Sequence, residues 1–173
     1  HGIQVNGASA SVSVNFCTLA TNPMYGVTRT VGGLTVRNSV VWDNGAGGLN
    51  APDAVDYTLS QEVLTGSSNL VADPLFADRI HFHLQSRAGA YTNGFFGGGS
   101  WVQSGADSPA LDTADPTAPY GREPEPNGFR AERGAYGNSA TASKTYLEDP
   151  GVFTVLTAFA HPALPLSLTS ARL

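Results

Sequence analysis

The chain has 173 residues, a net charge of −5 and apolar residues at 41% of its positions. This length allows one domain, with room for part of a second. The negative charge argues against a nucleic-acid partner, which needs a basic face, and no apolar run reaches the roughly 20 residues of a membrane-spanning helix. Only 13% of residues are charged, whereas glycine (20) and proline (11) are frequent. This balance favours turn-rich β structure over helices.

Short apolar segments recur along the first part of the chain. Two copies align over residues 12–22 and 34–44, and a third starts at Val55, which places Tyr57 opposite Val36. The apolar pairs of the first two copies are Val12 with Leu34, Val14 with Val36, and Leu19 with Val41. A unit this short buries its apolar face only by stacking on its neighbours. A period of roughly 20 residues with apolar alternation predicts an all-β solenoid, the parallel β-helix, with these residues lining one interior.

The later part of the chain carries distinctive phrases in a fixed order. They are NLVADPLFAD (69–78), FHLQS (82–86), SPALDTADP (108–116) and EPEPNGFRAERGAYGNSATASK (123–144). Together with the repeat, this order resembles the C-terminal end of bacterial right-handed parallel β-helix proteins of the pectin-lyase-like superfamily. The resemblance covers residues 12–144. It implies a right-handed parallel β-helix (solenoid) fragment with a C-terminal capping region, from a secreted or cell-surface protein.

The predicted organisation has three parts. β-helix coils occupy residues 1–86, a C-terminal cap and loop region occupies 87–144, and a linker or the start of a following module occupies 145–173. The chain begins on an alternating segment at Ile3, which predicts upstream coils or another protein chain against that end.

The phrase ADPLFAD marks the point where regular coiling is expected to stop. Pro74 cannot donate a ladder hydrogen bond and restricts the residue before it. Leu75 and Phe76 are then expected to fill the open apolar end of the solenoid, with Ala110 and Leu111 packing in the same cap. GAYGN is expected to end the cap with a close backbone approach at its two glycines.

Four residues near this point are candidate metal ligands: Asp73, Asp78, His81 and His83. IHFHLQ (80–85) alternates strictly, which predicts both histidines on one face and Ile80, Phe82 and Leu84 on the other. Two histidines do not make a zinc site, and carboxylates suit calcium. Turn capping by the aspartates is the favoured explanation, so the prediction is no cofactor, with calcium as the alternative.

Arg29 and Arg37 are the outward basic residues of the repeats and the candidate catalytic bases. Polysaccharide lyases of the resembled fold need a base beside the acidic carbon of the sugar and a cation on its carboxylate. Arginine loses its proton only in a dedicated site, and the sequence shows no acidic ladder beside either residue. Any catalytic groove is therefore expected outside this chain.

The segment AYTNGFFGGGSWVQ (90–103) is the most unusual stretch of the sequence. Its four aromatic residues are Tyr91, Phe95, Phe96 and Trp101. Aromatic rings exposed on a loop stack on sugar rings, which makes these four the candidate polysaccharide-binding residues. The alternative, which we favour here, is that the rings fold back onto the solenoid, because four exposed rings would form a costly patch.

Three functions stay open from the sequence. The leading one is a part of an extracellular bacterial β-helix protein that binds or displays against polysaccharide without catalysis in this segment. The first alternative is a fragment of a polysaccharide lyase or another glycan-cleaving enzyme. The second alternative is a structural stalk or assembly subunit.

Overall fold

The computed structural model of the chain describes residues 1–147 and is all-β, with no helix in that range. The predicted fold class is confirmed at this level. Residues 1–147 accordingly contain no helix that could cross a membrane. Of the predicted linker over 145–173, only the first three residues fall within the described range.

Within residues 1–147, ten strands form three sheets. Sheet 1 contains β1 (Ile3–Asn15), β3 (Tyr25–Arg37), β5 (Gly47–Asn50) and β6 (Ala54–Asp56), with β3 in the middle. Sheet 2 contains, in spatial order, β2 (Thr18–Ala20), β4 (Val40–Trp42), β7 (Leu59–Ser60) and β8 (Leu70–Val71). Both sheets are parallel, whereas β9 (Ala90–Thr92) and β10 (Ser100–Val102) form a separate antiparallel hairpin. We call residues 1–71 the strand region and residues 72–147 the outer segment.

The strand pairing follows the first two sequence copies. The pairs Val12 with Leu34, Val14 with Val36, and Leu19 with Val41 form as the alignment predicts. The third copy was misaligned by two residues, because Val55, and not Tyr57, lies opposite Val36. A displacement of two leaves the same side chains on the inner face, so the apolar alternation could not reveal it. The register changes between Asn50 and Ala54, in the turn from β5 to β6 where Ala51 has a φ of 55°.

A residue in the left-handed backbone region stands at each turn from sheet 1 to sheet 2. Phe16, Asn38 and Tyr57 have φ values of 50°, 49° and 48°. This conformation costs about 1 kcal/mol for a residue other than glycine. Asn38 is buried, donates to Asn15 Oδ1 at 2.9 Å and accepts from the backbone N–H of Asp115 at 2.7 Å. Those two hydrogen bonds offset the strain at that corner.

The central strands β4 and β7 of sheet 2 are buried on both faces. On one face, Leu19 packs against the apolar cluster of sheet 1. The buried members of that cluster are Val5, Val14, Val27, Leu34, Val36 and Val55. On the other face, Val40 and Leu59 pack against Leu84 from the outer segment. Because successive strand residues point to opposite faces, a strand covered on both sides reads as a continuous apolar run such as Val40-Val41-Trp42.

The outer segment therefore lies along the outer face of sheet 2. Phe76, Ala110 and Leu111 join Val40 and Leu59 in this second cluster and not the cluster of sheet 1. Ala110 and Leu111 thus pack in one cluster with Phe76, as predicted, but the prediction that Phe76 fills the open end of the solenoid is wrong. The physical reason is that the outer side chains of sheet 2 are apolar, so that face itself has to be covered.

The predicted close approach through Gly134 and Gly137 is confirmed. A Cβ atom on Gly134 would lie 2.8 Å from Thr18 Oγ1, and one on Gly137 would lie 2.4 Å from a ring carbon of Phe16. The backbone N–H of Gly134 also donates to the carbonyl of Asn38 at 2.9 Å. The outer segment thus reaches back across sheet 2 as far as β2.

Candidate functional site

The hairpin of β9 and β10 carries the predicted aromatic residues. Tyr91 and Trp101 are cross-strand partners, and residues 93–99 form the connecting loop. Gly98 has a φ of 75°, and a Cβ atom on Gly99 would lie 2.2 Å from the carbonyl oxygen of Thr92. The glycines are therefore required by the tight path of the loop.

Three buried rings support this loop. His83, Tyr91 and Tyr136 are each at least nine-tenths buried. The rings of His83 and Tyr136 stack with centroids 3.5 Å apart, and Tyr91 meets His83 edge-on at 5.1 Å. The hydroxyl of Tyr91 accepts the N–H of Gly99 at 2.7 Å, and His83 Nε2 lies 2.9 Å from the carbonyl of Gly94. The loop backbone is thus fixed by side chains beneath it.

The remaining three rings are exposed and rest on that support. Phe95 is 54%, Phe96 66% and Trp101 39% exposed. Phe95 packs on His81 at 4.8 Å, Phe96 on Tyr136 at 5.1 Å, and Trp101 on Tyr91 at 5.2 Å between centroids. The favoured expectation that the rings fold back is wrong for these three, whereas Tyr91 is buried beneath the loop. We call Phe95, Phe96 and Trp101 the aromatic surface.

His83 is held in its neutral form. Its Nε2 faces two carbonyls, those of Gly94 at 2.9 Å and Phe95 at 3.0 Å, so the proton of the neutral ring sits on Nε2. Burial lowers the pKa of His83 and outweighs the hydrogen bonds that would raise it. Its buried Nδ1 has no hydrogen-bond partner among the described residues, so a second proton there would be an unpaired buried donor.

The two aspartates among the candidate metal ligands cap turns. Asp73 Oδ1 accepts the N–H of Leu75 at 2.8 Å, and Asp78 Oδ1 accepts the N–H of Ile80 at 2.8 Å. Burial opposes ionisation of Asp78, but hydrogen bonds from His81 and Ile80 lower its pKa on balance. The favoured turn-capping role is therefore confirmed for both aspartates. Within residues 1–147, no group of three or more potential ligands could hold a metal ion.

The predicted alternation around the two histidines is wrong. Ile80 is 70% exposed whereas Leu84 is buried, so they do not share a covered face. Phe82 has a φ of 60°, which interrupts the extended chain that alternation requires. As a result His83 is buried under the hairpin loop, while His81 lies beside Phe95.

The two arginines that were candidate bases are both paired with carboxylates. Arg29 forms an ion pair with Asp53 and donates to the carbonyl of Gly32 at 3.0 Å. Arg37 Nη2 lies 2.9 Å from a carboxylate oxygen of Asp115. The sequence shows no acidic ladder beside them, but the fold brings a carboxylate against each guanidinium and engages it in an ion pair. The geometry opposes a role as general base for either residue.

A second feature, which the sequence did not reveal, is a cleft beside the end of β4. Its volume is about 260 Å³, and its lining residues are Trp42, Asp73, Leu75, Phe76, Arg79 and Gln85. Arg79, at the rim, also pairs with Asp43 directly after β4. Gln85 Nε2 donates to the carbonyl of Phe76 at 3.3 Å, which orients its amide in the wall. Only the fold-back of the outer segment brings these residues to Trp42.

Buried charged residues in the outer segment were also missed. Glu132 is 1% exposed and Arg133 is 3% exposed. Burial raises the pKa of Glu132 well above its ordinary value, and burial raises the pKa of Glu123 to about 7. Glu123 Oε1 accepts the N–H groups of Glu132 at 3.1 Å and Asn138 at 2.7 Å. The motif EPEPNGFRAERGAYGN marked this segment as distinctive, but charged residues are mostly exposed, so the motif did not predict their burial.

Comparison with known proteins identifies no relative of the chain. Neither a family model, a curated protein nor a solved structure matches the chain.

Proposed function

We propose that the chain is part of an extracellular bacterial right-handed parallel β-helix protein and binds polysaccharide without catalysing its cleavage. The fold part of this proposal is supported by the recurring parallel strands, which return alternately to sheets 1 and 2 along the chain. The binding part is carried by one observation, the aromatic surface held on a buried ring stack.

The aromatic surface has the chemistry of a sugar platform. Sugar rings present flat arrays of C–H groups, which pack on aromatic faces, while their hydroxyls stay in water. Phe95 and Phe96 are each more than half exposed. Phenylalanine side chains are usually buried unless another molecule covers them. Three large exposed rings on one hairpin mark an interaction surface.

The support beneath the rings favours binding because it reduces the entropy lost on association. Tyr91 and His83 fix the backbone of the loop through hydrogen bonds to Gly99 and Gly94. A surface already in its bound geometry retains more of its contact energy as affinity.

The test is binding to a panel of soluble polysaccharides by affinity gel electrophoresis. We expect the wild-type chain to be retarded by at least one of them. The double variant Phe95→Ala/Phe96→Ala should bind about 30-fold more weakly, since each ring contributes about 1 kcal/mol. Val63→Ala is the matched control, because Val63 is an apolar residue of the strand region that is 89% exposed.

Two results would contradict the proposal. One is that no polysaccharide retards the folded wild-type chain. The other is that retardation persists in the double variant. Thermal melts of the three proteins should coincide, because the substituted side chains are exposed.

The same proposal places upstream coils or another protein chain against β1 and β2. Both strands lie at the ends of their sheets, and an unpaired strand edge is a template for further pairing. Sedimentation velocity should show association that increases with concentration and is reduced by Ile3→Lys on β1. Sedimentation as a monomer at every concentration would refute this placement.

A further inference from the structure

The cleft beside β4 combines apolar walls with planar polar groups. Trp42 and Phe76 both pack on the apolar cluster around Val40 and Leu59 on the outer face of sheet 2, so their rings are held in place. Phe76 is also braced by Phe82, whose ring meets it edge-on at 5.1 Å. Two fixed aromatic side chains in one wall can contact a ring but contribute no specificity by themselves.

The polar groups of the cleft retain hydrogen-bonding capacity. Asp73 uses Oδ1 for the N–H of Leu75, and its Oδ2 accepts no hydrogen bond from residues 1–147. Gln85 uses its amide nitrogen for the carbonyl of Phe76, which leaves its amide oxygen as an acceptor. Arg79 offers several N–H donors, since a guanidinium has five. A ligand that fits must therefore carry both donors and acceptors beside an apolar face.

From this geometry we infer that the cleft binds one neutral pyranose ring. The hydroxyl groups of a sugar both donate and accept, as this mixture of carboxylate, amide and guanidinium groups requires. The volume of about 260 Å³ lies just below the usual range of small-molecule pockets, which suits a single ring rather than a drug-sized ligand.

Charge selects a neutral sugar over an acidic one. The guanidinium of Arg79 is paired with Asp43, which lies outside the lining, and Asp73 places a carboxylate in the cleft wall itself. A uronate would bring a further negative charge to a site whose one positive charge is already neutralised, and like charges repel at this range.

The cleft and the aromatic surface are neighbours in the chain. Arg79 lines the cleft, and His81, two residues later, supports Phe95. Two residues span about 7 Å at most, so the backbone that lines the cleft continues directly into the backbone that supports the aromatic surface. The inference rests on the proposed function only for the class of ligand, and the cleft is testable separately.

The two tryptophans of the chain allow that separation, since one lies in each site. In the variant Trp101→Phe, fluorescence reports only Trp42 in the cleft; in Trp42→Phe, it reports only Trp101. The probes are maltotetraose, cellotetraose and mannotetraose as neutral sugars, and tetragalacturonate as the acidic one. We expect at least one neutral probe to change the emission of Trp42 saturably, with a half-point on the order of 1 mM, and tetragalacturonate to leave it unchanged.

Arg79→Gln, added to Trp101→Phe, should raise that half-point about 10-fold, because a hydrogen bond to a charged group is lost. Arg122→Gln is the control, since Arg122 is an exposed arginine outside the cleft. The inference is overturned if no neutral probe changes the emission of Trp42, or if tetragalacturonate changes it to the same extent. It is also overturned if Arg79→Gln leaves the half-point unchanged. A response of Trp101 alone would refute the cleft and leave the aromatic surface standing, whereas a response of Trp42 alone would do the reverse.

Discussion

The strand region and the outer segment are stabilised in different ways. The strand region is a set of parallel ladders closed on an apolar cluster of valine and leucine. The outer segment has one short antiparallel hairpin and is otherwise joined by scattered backbone hydrogen bonds and by bonds from side chains to the backbone. Arg133 is typical, because it donates to the carbonyls of Thr113 at 2.8 Å and Ser68 at 2.9 Å and so ties the two regions together.

Among the described residues, buried carboxylates lie only in the outer segment. In the strand region, the N–H of Leu34 and the guanidinium of Arg29 lower the pKa of Asp53. In the outer segment, burial raises the pKa values of Glu123 and Glu132. The comparison shows that a repeated pattern can build a scaffold with its charges in water, whereas an irregular layer uses buried polar groups to fix its path.

The largest effect should come from breaking the strand region with Val36→Asp. Val36 is fully buried in the cluster of sheet 1, and an unpaired buried carboxylate should lower the free energy of unfolding by about 4 kcal/mol or more. Chemical denaturation measures the change. Ser13→Asp is the control, because Ser13 is exposed on the adjacent strand β1. Equal stability of the two variants would show that the inner face is assigned wrongly.

The junction between the regions should be sensitive to Gly134→Ala. Gly134 has a φ of 102°, and its new Cβ would lie 2.8 Å from Thr18 Oγ1 and 3.3 Å from Val40. Backbone strain and crowding together should cost about 2–4 kcal/mol. Gly121→Ala is the matched change, since nothing lies within 4 Å of a Cβ there. If both variants melt with the wild type, the outer segment does not depend on this approach.

The pH dependence of stability should report on the buried titratable groups of the outer segment. Because the pKa of Glu123 is raised from 4.5 to about 7 on folding, its contribution to stability is complete below pH 4.5 and is lost as the pH rises through about 7. His83 has the opposite sign, since burial lowers its pKa and acidification below 6.5 destabilises the folded state. The difference between wild type and Glu123→Gln isolates the glutamate.

Thermal melts over this pH range measure that difference. The melting temperature of the wild type, relative to Glu123→Gln, should fall as the pH rises from 4.5 to 7. Glu125→Gln, at an exposed position, should follow the wild type throughout. Parallel curves for wild type and Glu123→Gln would mean that Glu123 titrates alike in the folded and unfolded chain.

The smallest effect is expected for Arg37→Gln. Arg37 also spans the two regions, with Nη2 at 2.9 Å from Asp115 and Nε at 4.0 Å from Asp56. Exposed ion pairs contribute little, so the melting temperature should fall by about 1–2 °C at low salt and less at high salt. A drop as large as that of Gly134→Ala would show that this exposed pair, and not the backbone approach, joins the regions.

Much of the strand region was predictable because its rule is repetitive. Alternation fixed which side chains face inward, and the pairs of β1 with β3 and β2 with β4 followed from aligning the first two copies. The displaced third copy at Val55 escaped because alternation is unchanged by a shift of two residues. The candidate site was found in part: the glycines and aromatic residues of 90–103 marked the hairpin, but not which rings would be exposed.

The sequence by itself determined the all-β class, the inner face of the first two repeats and the tight approach at Gly134 and Gly137. Only the tertiary structure decided that the outer segment lies on sheet 2, that His83 and Tyr136 stack beneath the hairpin loop, and that Arg79 meets Trp42 in a cleft. The reason is physical. The period of apolar residues and the backbone sterics depend on near neighbours in sequence, whereas the packing of an irregular segment depends on the sum of many distant contacts. Those contacts follow no repeating pattern in the sequence.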